Sequence, residues 1–156
     1  MSTSPRIRFV GSSSHNLDGK FRLTIPSKWR GKTSEDMEFI GMPDPEGCLA
    51  IHPPRMIEKM EDRAAQISMG DTKGQDVLAQ VFGNAETFSF DKQGRIILPD
   101  GLREHANIKK GIVLVGHLSH FRIWSLEEFE KKQKKEEREL SSEMQELKRA
   151  LQELGL

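Results

Sequence analysis

The chain has 156 residues, with 24 basic and 24 acidic side chains, one cysteine and an apolar fraction of 35%. This length supports one compact core with an appended segment. The lone Cys48 excludes an internal disulfide framework and fits a reducing compartment. Because no apolar stretch is long enough for a signal peptide or a membrane helix, we predict a cytoplasmic protein without a membrane-spanning segment.

The formal net charge is zero, yet the charges are unevenly distributed. Residues 33–62 carry eight acidic side chains against two basic ones, whereas Asp18 is the one acidic residue in the range 5–32. That range holds seven basic residues, Arg6, Arg8, Lys20, Arg22, Lys28, Arg30 and Lys32. It can form a basic face that binds phosphate. A charged, solvated surface explains such a cluster about equally well.

The first predicted strand alternates apolar and polar residues across Phe21, Leu23 and Ile25, a pattern typical of a half-buried strand. Pro26 ends this strand because it has no amide hydrogen to donate, and residues 27–30 can begin a short helix. Residues 37–41 and 48–52 are two further strand candidates, separated by a turn rich in proline, aspartate and glycine.

A helical stretch follows. Pro54 suits the first helical position, and apolar residues then recur at three- and four-residue spacing through Ala64. Residues 76–82 are predicted to form a second, shorter helix.

The next segment repeats the first. Asp18, three residues, Arg22 and a strand ending at Pro26 recur as Asp91, Arg95 and Pro99. Residues 111–116 and 121–124 match the two later strand candidates, and Arg30 and Arg103 each lie four residues beyond the proline. Such a repeat indicates two copies of one hairpin unit. We predict a first repeat at 8–57, linking helices at 58–84, a second repeat at 85–129 and a C-terminal helix at 130–156.

The C-terminal segment, from residue 127 to residue 156, contains no proline. Apolar residues at a and d heptad positions recur along it, at Leu140, Met144, Leu147, Leu151 and Leu154. About two heptads are too short to be stable alone in water. The helix should therefore dock on its own domain or on a neighbouring subunit; we favour the neighbour, and both remain open.

The repeated motif has a chemical rationale. An aspartate can cap backbone amides of a turn, and an arginine on the returning strand can contact phosphate or a guanine edge bidentately. Lysines in the turns would add phosphate contacts. For one copy, an Asp–Arg ion pair that only stabilises the hairpin is the simpler explanation, whereas two copies favour binding. The candidate DNA-binding residues are Lys20, Arg22, Lys92, Arg95, Arg8, Lys28 and Arg30.

An enzyme is not indicated. The histidines lack metal-binding spacing; His117 and His120 are three residues apart, without a carboxylate that completes a site. Cys48 has no sequence context of a nucleophile, and there is no phosphate-binding loop or dinucleotide motif. We predict no cofactor and no metal.

The two motifs, Asn16 to Pro26 and Asp91 to Pro99, together with the segments 102–106, 113–116 and 121–124, resemble the MraZ family of bacterial transcriptional regulators. The resemblance implies an α+β fold of two tandem AbrB-like swapped-hairpin units forming a pseudo-symmetric barrel. It also implies a ring-shaped homo-oligomer that binds direct repeats in double-stranded DNA upstream of its own division and cell-wall operon, on the nucleoid. The DNA-contact roles correspond to Arg22 with Lys20, and to Arg95 with Lys92 or Gln93.

Two features depart from the family pattern. Phe21 stands where the family usually has glycine before the arginine, whereas Gly94 keeps that glycine in the second copy. The second copy is also less basic, so we expect the first copy to dominate DNA contact. The alternative function is a non-DNA scaffold whose arginines recruit acidic partners. The DNA sequence, the subunit number and the direction of regulation stay open.

Overall fold

The computed structural model describes residues 6–30 and 37–155. The chain divides into two units, which meet between Leu126 and Glu127. Lys32 of the basic segment and the first acidic residues of the following segment lie outside the described residues. None of the described helices is long and apolar enough to cross a membrane.

The described residues of the first unit form eight strands, all paired antiparallel. They are β1 (Ser12–Asn16), β2 (Arg22–Thr24), β3 (Glu38–Pro43), β4 (Leu49–His52), β5 (Glu86–Ser89), β6 (Arg95–Ile97), β7 (Gly111–Gly116) and β8 (Phe121–Ser125). Six of them form one sheet in the order β1-β7-β8-β4-β3-β5, and β2 pairs with β6 in a separate two-stranded ribbon. The described part of the six-stranded sheet is open, with β1 and β5 at its edges.

Helices connect these strands. They are a short 3-10 helix (Ser27–Trp29), α1 (Pro54–Ala65), α2 (Thr72–Phe82) and α3 (Asp100–His105). Pro54 stands in the first turn of α1, as predicted. Helix α2 begins earlier than predicted because the Asp71 side chain accepts a hydrogen bond from the Gly74 amide and caps the first turn.

The two repeats share their hydrogen bonding. Strand β1 of the first repeat pairs with β7 of the second, and β5 of the second pairs with β3 of the first. The ribbon likewise takes β2 from one repeat and β6 from the other. Neither repeat therefore completes its own sheet, and each motif is held against the other copy.

One aromatic-rich core lies between the six-stranded sheet and the ribbon. The rings of Trp29 and Phe121 stack with centroids 5.1 Å apart, and Phe39 meets Phe90 edge-on at 5.0 Å. Leu23 and Ile96 of the ribbon are buried in the same cluster. Each such side chain contributes roughly 1.5–3 kcal/mol through burial, so the ribbon is firmly fixed by its inner face.

The second unit consists of residues after Leu126 and is helical. Helix α4 (Leu126–Glu153) has 28 residues and none of them is buried. Its exposed surface includes charged pairs one turn apart, such as Lys132 and Glu136 at 3.7 Å. The α+β class and the C-terminal helix predicted from the sequence are thus confirmed.

Candidate nucleic-acid interface

The first motif forms a turn that one aspartate organises. Asp18 Oδ1 accepts hydrogen bonds from the amides of Lys20 and Arg22, both at 2.9 Å. Its Oδ2 accepts from Arg22 Nε at 2.6 Å, and the Phe21 amide donates to the Asp18 carbonyl at 3.0 Å. The same carboxylate therefore shapes the backbone of the turn and fixes the direction of the arginine.

The second motif has the same geometry. Asp91 Oδ1 accepts from the amides of Gln93 and Arg95 at 2.9 and 2.8 Å, and Oδ2 accepts from Arg95 Nε at 2.8 Å. The predicted hairpin-stabilising ion pair is thus present in both copies. It leaves the arginines usable, because each arginine side chain makes its hydrogen bond to the aspartate through Nε rather than through the terminal guanidinium nitrogens.

These contacts keep both carboxylates charged. The amide of Arg22, followed by its guanidinium, lowers the pKa of Asp18 from 3.8 to about 2. The amide and side chain of Arg95 lower the pKa of Asp91 in the same way. Both arginines therefore keep an ionised partner throughout the neutral and mildly acidic range.

The ribbon presents both arginines on one face. Leu23 is paired with Ile96, and both side chains point into the core. Arg22 is paired with Ile97 and Thr24 with Arg95, so these four side chains share the outer face. Diagonal neighbours in such a pair lie roughly 7–8 Å apart, which places Arg22 and Arg95 side by side. Ile97 on this face is 61% exposed.

Each turn is also covered by an arginine from the other repeat. The Arg103 guanidinium lies over the Phe21 ring, 3.4 Å from its centroid, while Arg103 Nε donates to the Leu98 carbonyl at 2.9 Å. Arg30 Nε donates to the Ile25 carbonyl, also at 2.9 Å. Its guanidinium lies against Gly94, where an added Cβ would overlap it.

This arrangement brings Arg103 to the first turn, although it was absent from the predicted site. The sequence indicates Arg103 through its position, because it lies four residues beyond Pro99, as Arg30 lies four residues beyond Pro26. The sequence could not show that each arginine serves the opposite turn, because that depends on the pairing of β2 with β6.

The other predicted basic residues occupy two regions. Lys20 and Lys92 are exposed within the two turns. Lys28 is exposed on the 3-10 helix, with its Nζ near Gly11, and Arg8 is exposed beside Phe9. The structure therefore groups Lys20 and Lys92 with the arginines and places Arg8 and Lys28 near the start of β1.

The histidines form a separate cluster. The ring of His120 stacks on those of His52 and His117, with centroids 4.6 and 5.2 Å away. Burial, followed by neighbouring positive charge, lowers the pKa values of His52 and His120 to about 4. The described part of the chain contains no group of three or more His, Cys, Asp or Glu side chains that could hold a metal ion.

Comparison with known proteins identifies the family. Residues 81–153 match the model of the MraZ protein family, which is described as antitoxin-like. A transcriptional regulator MraZ from Pediococcus pentosaceus is 37% identical over 117 residues, covering 75% of this chain and 80% of the relative. One from Clostridium acetobutylicum is 31% identical over 148 residues, covering 95% and 99%. One from Pseudoalteromonas translucida is 37% identical over 119 residues, covering 74% and 78%. This chain belongs to the MraZ family.

Proposed function

We propose that this chain is a sequence-specific, DNA-binding transcriptional regulator that acts as a ring-shaped homo-oligomer on tandem direct repeats upstream of its own division and cell-wall operon. Its relatives are named transcriptional regulators, which supports a regulator rather than an enzyme. The observation that carries the proposal is the pair of aspartate-fixed arginines on the outer face of one ribbon. The proposed contact residues are Lys20, Arg22, Lys92, Arg95, Arg8, Lys28 and Arg30.

The ribbon has the right dimensions for direct reading of bases. The major groove of DNA, about 12 Å wide, admits a two-stranded antiparallel ribbon. Leu23 and Ile96 anchor the inner face, so the outer face can enter the groove without rearrangement. Arg22 and Arg95 then offer their terminal nitrogens to guanine O6 and N7, an arrangement that costs little side-chain entropy because Asp18 and Asp91 already hold them.

The turns supply affinity rather than specificity. Lys20 and Lys92 are exposed at the two ends of the ribbon, within reach of the flanking phosphates. Binding should therefore weaken steeply as salt concentration rises, since each neutralised phosphate releases counterions.

The same proposal includes the finer architecture. The exchange of strands between residues 8–57 and 85–129 supports two interleaved AbrB-like swapped hairpins, linked by residues 58–84, that form a pseudo-symmetric barrel. A ring of such chains gains affinity from tandem boxes through effective concentration, and much less from one isolated box. The protein would then act in the cytoplasm, on the nucleoid.

Binding of the purified protein to DNA from upstream of its own gene, beside a scrambled control, tests the proposal directly. We expect discrimination between the two DNAs that survives moderate salt. Equal, salt-sensitive binding to both DNAs would contradict sequence-specific regulation and favour a scaffold that recruits acidic partners.

The two arginines should not contribute equally. Because the first copy lies in the more basic segment, we expect Arg22→Ala to weaken specific binding more than Arg95→Ala, each by roughly 1–3 kcal/mol. Arg63→Ala, at an exposed position of α1, is the matched control and should leave affinity unchanged. Equal losses from the two ribbon variants in an anisotropy titration would refute the ranking.

A further inference from the structure

Helix α4 exposes a continuous apolar stripe near its C-terminal end. The stripe comprises Leu140, Met144, Leu147 and Leu151 on the helix and Leu154 directly after its last residue, and these side chains are between 41% and 74% exposed. Isolated exposed leucines are ordinary, but five in succession at a/d spacing are typical of a helix that packs against another helix.

The heptad positions identify what fits this stripe. Met144 and Leu151 occupy a positions, whereas Leu140, Leu147 and Leu154 occupy d positions. A second helix with the same alternation would fill the stripe over its full length, and a copy of α4 provides that alternation by identity.

Flanking charges decide the orientation. Glu143 stands at a g position and Lys148 at the following e position. In a parallel pair, the g residue of one helix faces the next e residue of the other, so Glu143 meets Lys148 twice by symmetry. In an antiparallel pair, Glu143 would face Ala150 and Lys148 would face Ser141. Attractive pairs therefore form only in the parallel orientation.

We propose that α4 packs in parallel against α4 of a second copy of this chain along the stripe from Leu140 to Leu154. The inference rests on the self-association included in the proposed function, because two heptads are too short to pair from dilute solution. Subunits already held in one assembly raise the effective concentration of neighbouring helices, which makes a weak contact populated.

Disulfide trapping in the full-length protein tests this pairing. In a Cys48→Ala background, Leu151→Cys should cross-link rapidly under mild oxidation because parallel a positions face each other. Arg149→Cys, on the opposite side of the helix, is the matched control and should cross-link slowly. Preferential cross-linking of Leu151→Cys with Leu140→Cys in a mixed sample would overturn the parallel orientation.

Charge exchange provides the second test. Glu143→Lys in the Leu151→Cys protein should slow cross-linking about fivefold, because two attractive pairs become repulsive. Adding Lys148→Glu should restore the original rate, since the pair is then reversed in sign. Failure of the double variant to recover would overturn the proposed pairing. All three substituted positions are exposed, and matching circular dichroism spectra of the variants, recorded first, establish that each is folded.

Native mass spectrometry of the same samples separates this inference from the proposed function. An assembled protein without the 151–151 cross-link refutes the helix pairing alone. A cross-linked assembly that fails to discriminate its upstream DNA refutes the regulator proposal and leaves the pairing intact. A strictly monomeric protein refutes both the ring and the pairing.

Discussion

Gly94→Ala is the sharpest test of how the second turn is built. Gly94 is buried and has a φ of +76°, in the left-handed region. An alanine there costs about 1–2 kcal/mol in backbone strain alone. Its Cβ would also overlap the Arg30 guanidinium and displace it from the Ile25 carbonyl.

The displaced hydrogen bond adds a second cost. Hydrogen bonds from charged groups contribute about 1.5–3 kcal/mol, and the lower end applies here because Arg30 is only half-buried and regains water when it moves. We therefore expect Gly94→Ala to lower the free energy of unfolding by about 2–4 kcal/mol. Urea titrations followed by tryptophan fluorescence at one fixed protein concentration would measure this loss.

Gly47→Ala is the matched control. Gly47 has a φ of +93°, and nothing lies within 4 Å of its added Cβ. This variant incurs the backbone cost without the overlap, so the difference between the two variants isolates the contribution of Arg30. Equal destabilisation would refute the argument that Arg30 requires a glycine at position 94.

Two further outcomes are expected. Because the pKa values of His52 and His120 fall from 6.5 to about 4, the unfolded chain binds more protons between these values. The free energy of unfolding should thus be greatest above pH 6.5 and decrease as the pH falls through this window. In urea titrations, His52→Phe should make this pH dependence less steep. An unchanged pH dependence would contradict its assignment to these histidines. Ile97→Ser should leave the free energy of unfolding unchanged but weaken binding to upstream DNA about fourfold. This factor corresponds to the loss of one methyl contact, about 0.8 kcal/mol. Replacing thymine by uracil should remove this difference, and its persistence would rule out contact with a thymine methyl group.

The local features of the site were predictable from the sequence. Alternation correctly placed Leu23 and Ile25 in the core, but it was wrong for Phe21, which precedes β2 in the turn and is 40% exposed. The aspartate four residues before each arginine correctly indicated a turn in which the carboxylate caps amides, because all of its partners lie within four residues. Short-range geometry of this kind depends on residue type and spacing alone.

Features that depend on distant pairing were not predictable. Strand β1 is rich in serine and carries no apolar alternation, so no local pattern predicted it. It forms because β7 offers it a hydrogen-bonding edge, from Ser12 opposite Val115 to Asn16 opposite Gly111. The exchange of strands between repeats likewise follows from tertiary packing.

The exchange of strands between the repeats also explains why Phe21 can replace the glycine that the family usually has at this position. Phe21 has a φ of +60°, a conformation that costs an L residue about 1–2 kcal/mol and that its counterpart Gly94 adopts freely. Arg103 stacks on the ring and recovers roughly 0.5–1 kcal/mol. In the second turn, the Arg30 guanidinium lies against the backbone at Gly94. In the first turn, the covering arginine, Arg103, lies against the aromatic ring of Phe21 instead.

The ring changes the surface without changing the arginine. The Asp–Arg contacts differ by little between the copies, 2.6 Å in the first turn and 2.8 Å in the second. Phe21 is nevertheless 40% exposed directly beside Arg22. The first turn therefore offers an apolar face together with its guanidinium, whereas the second offers a guanidinium and backbone. If the ribbon enters a DNA groove, its two ends must meet chemically different surroundings, so a chain built on an internal repeat can still read an asymmetric box.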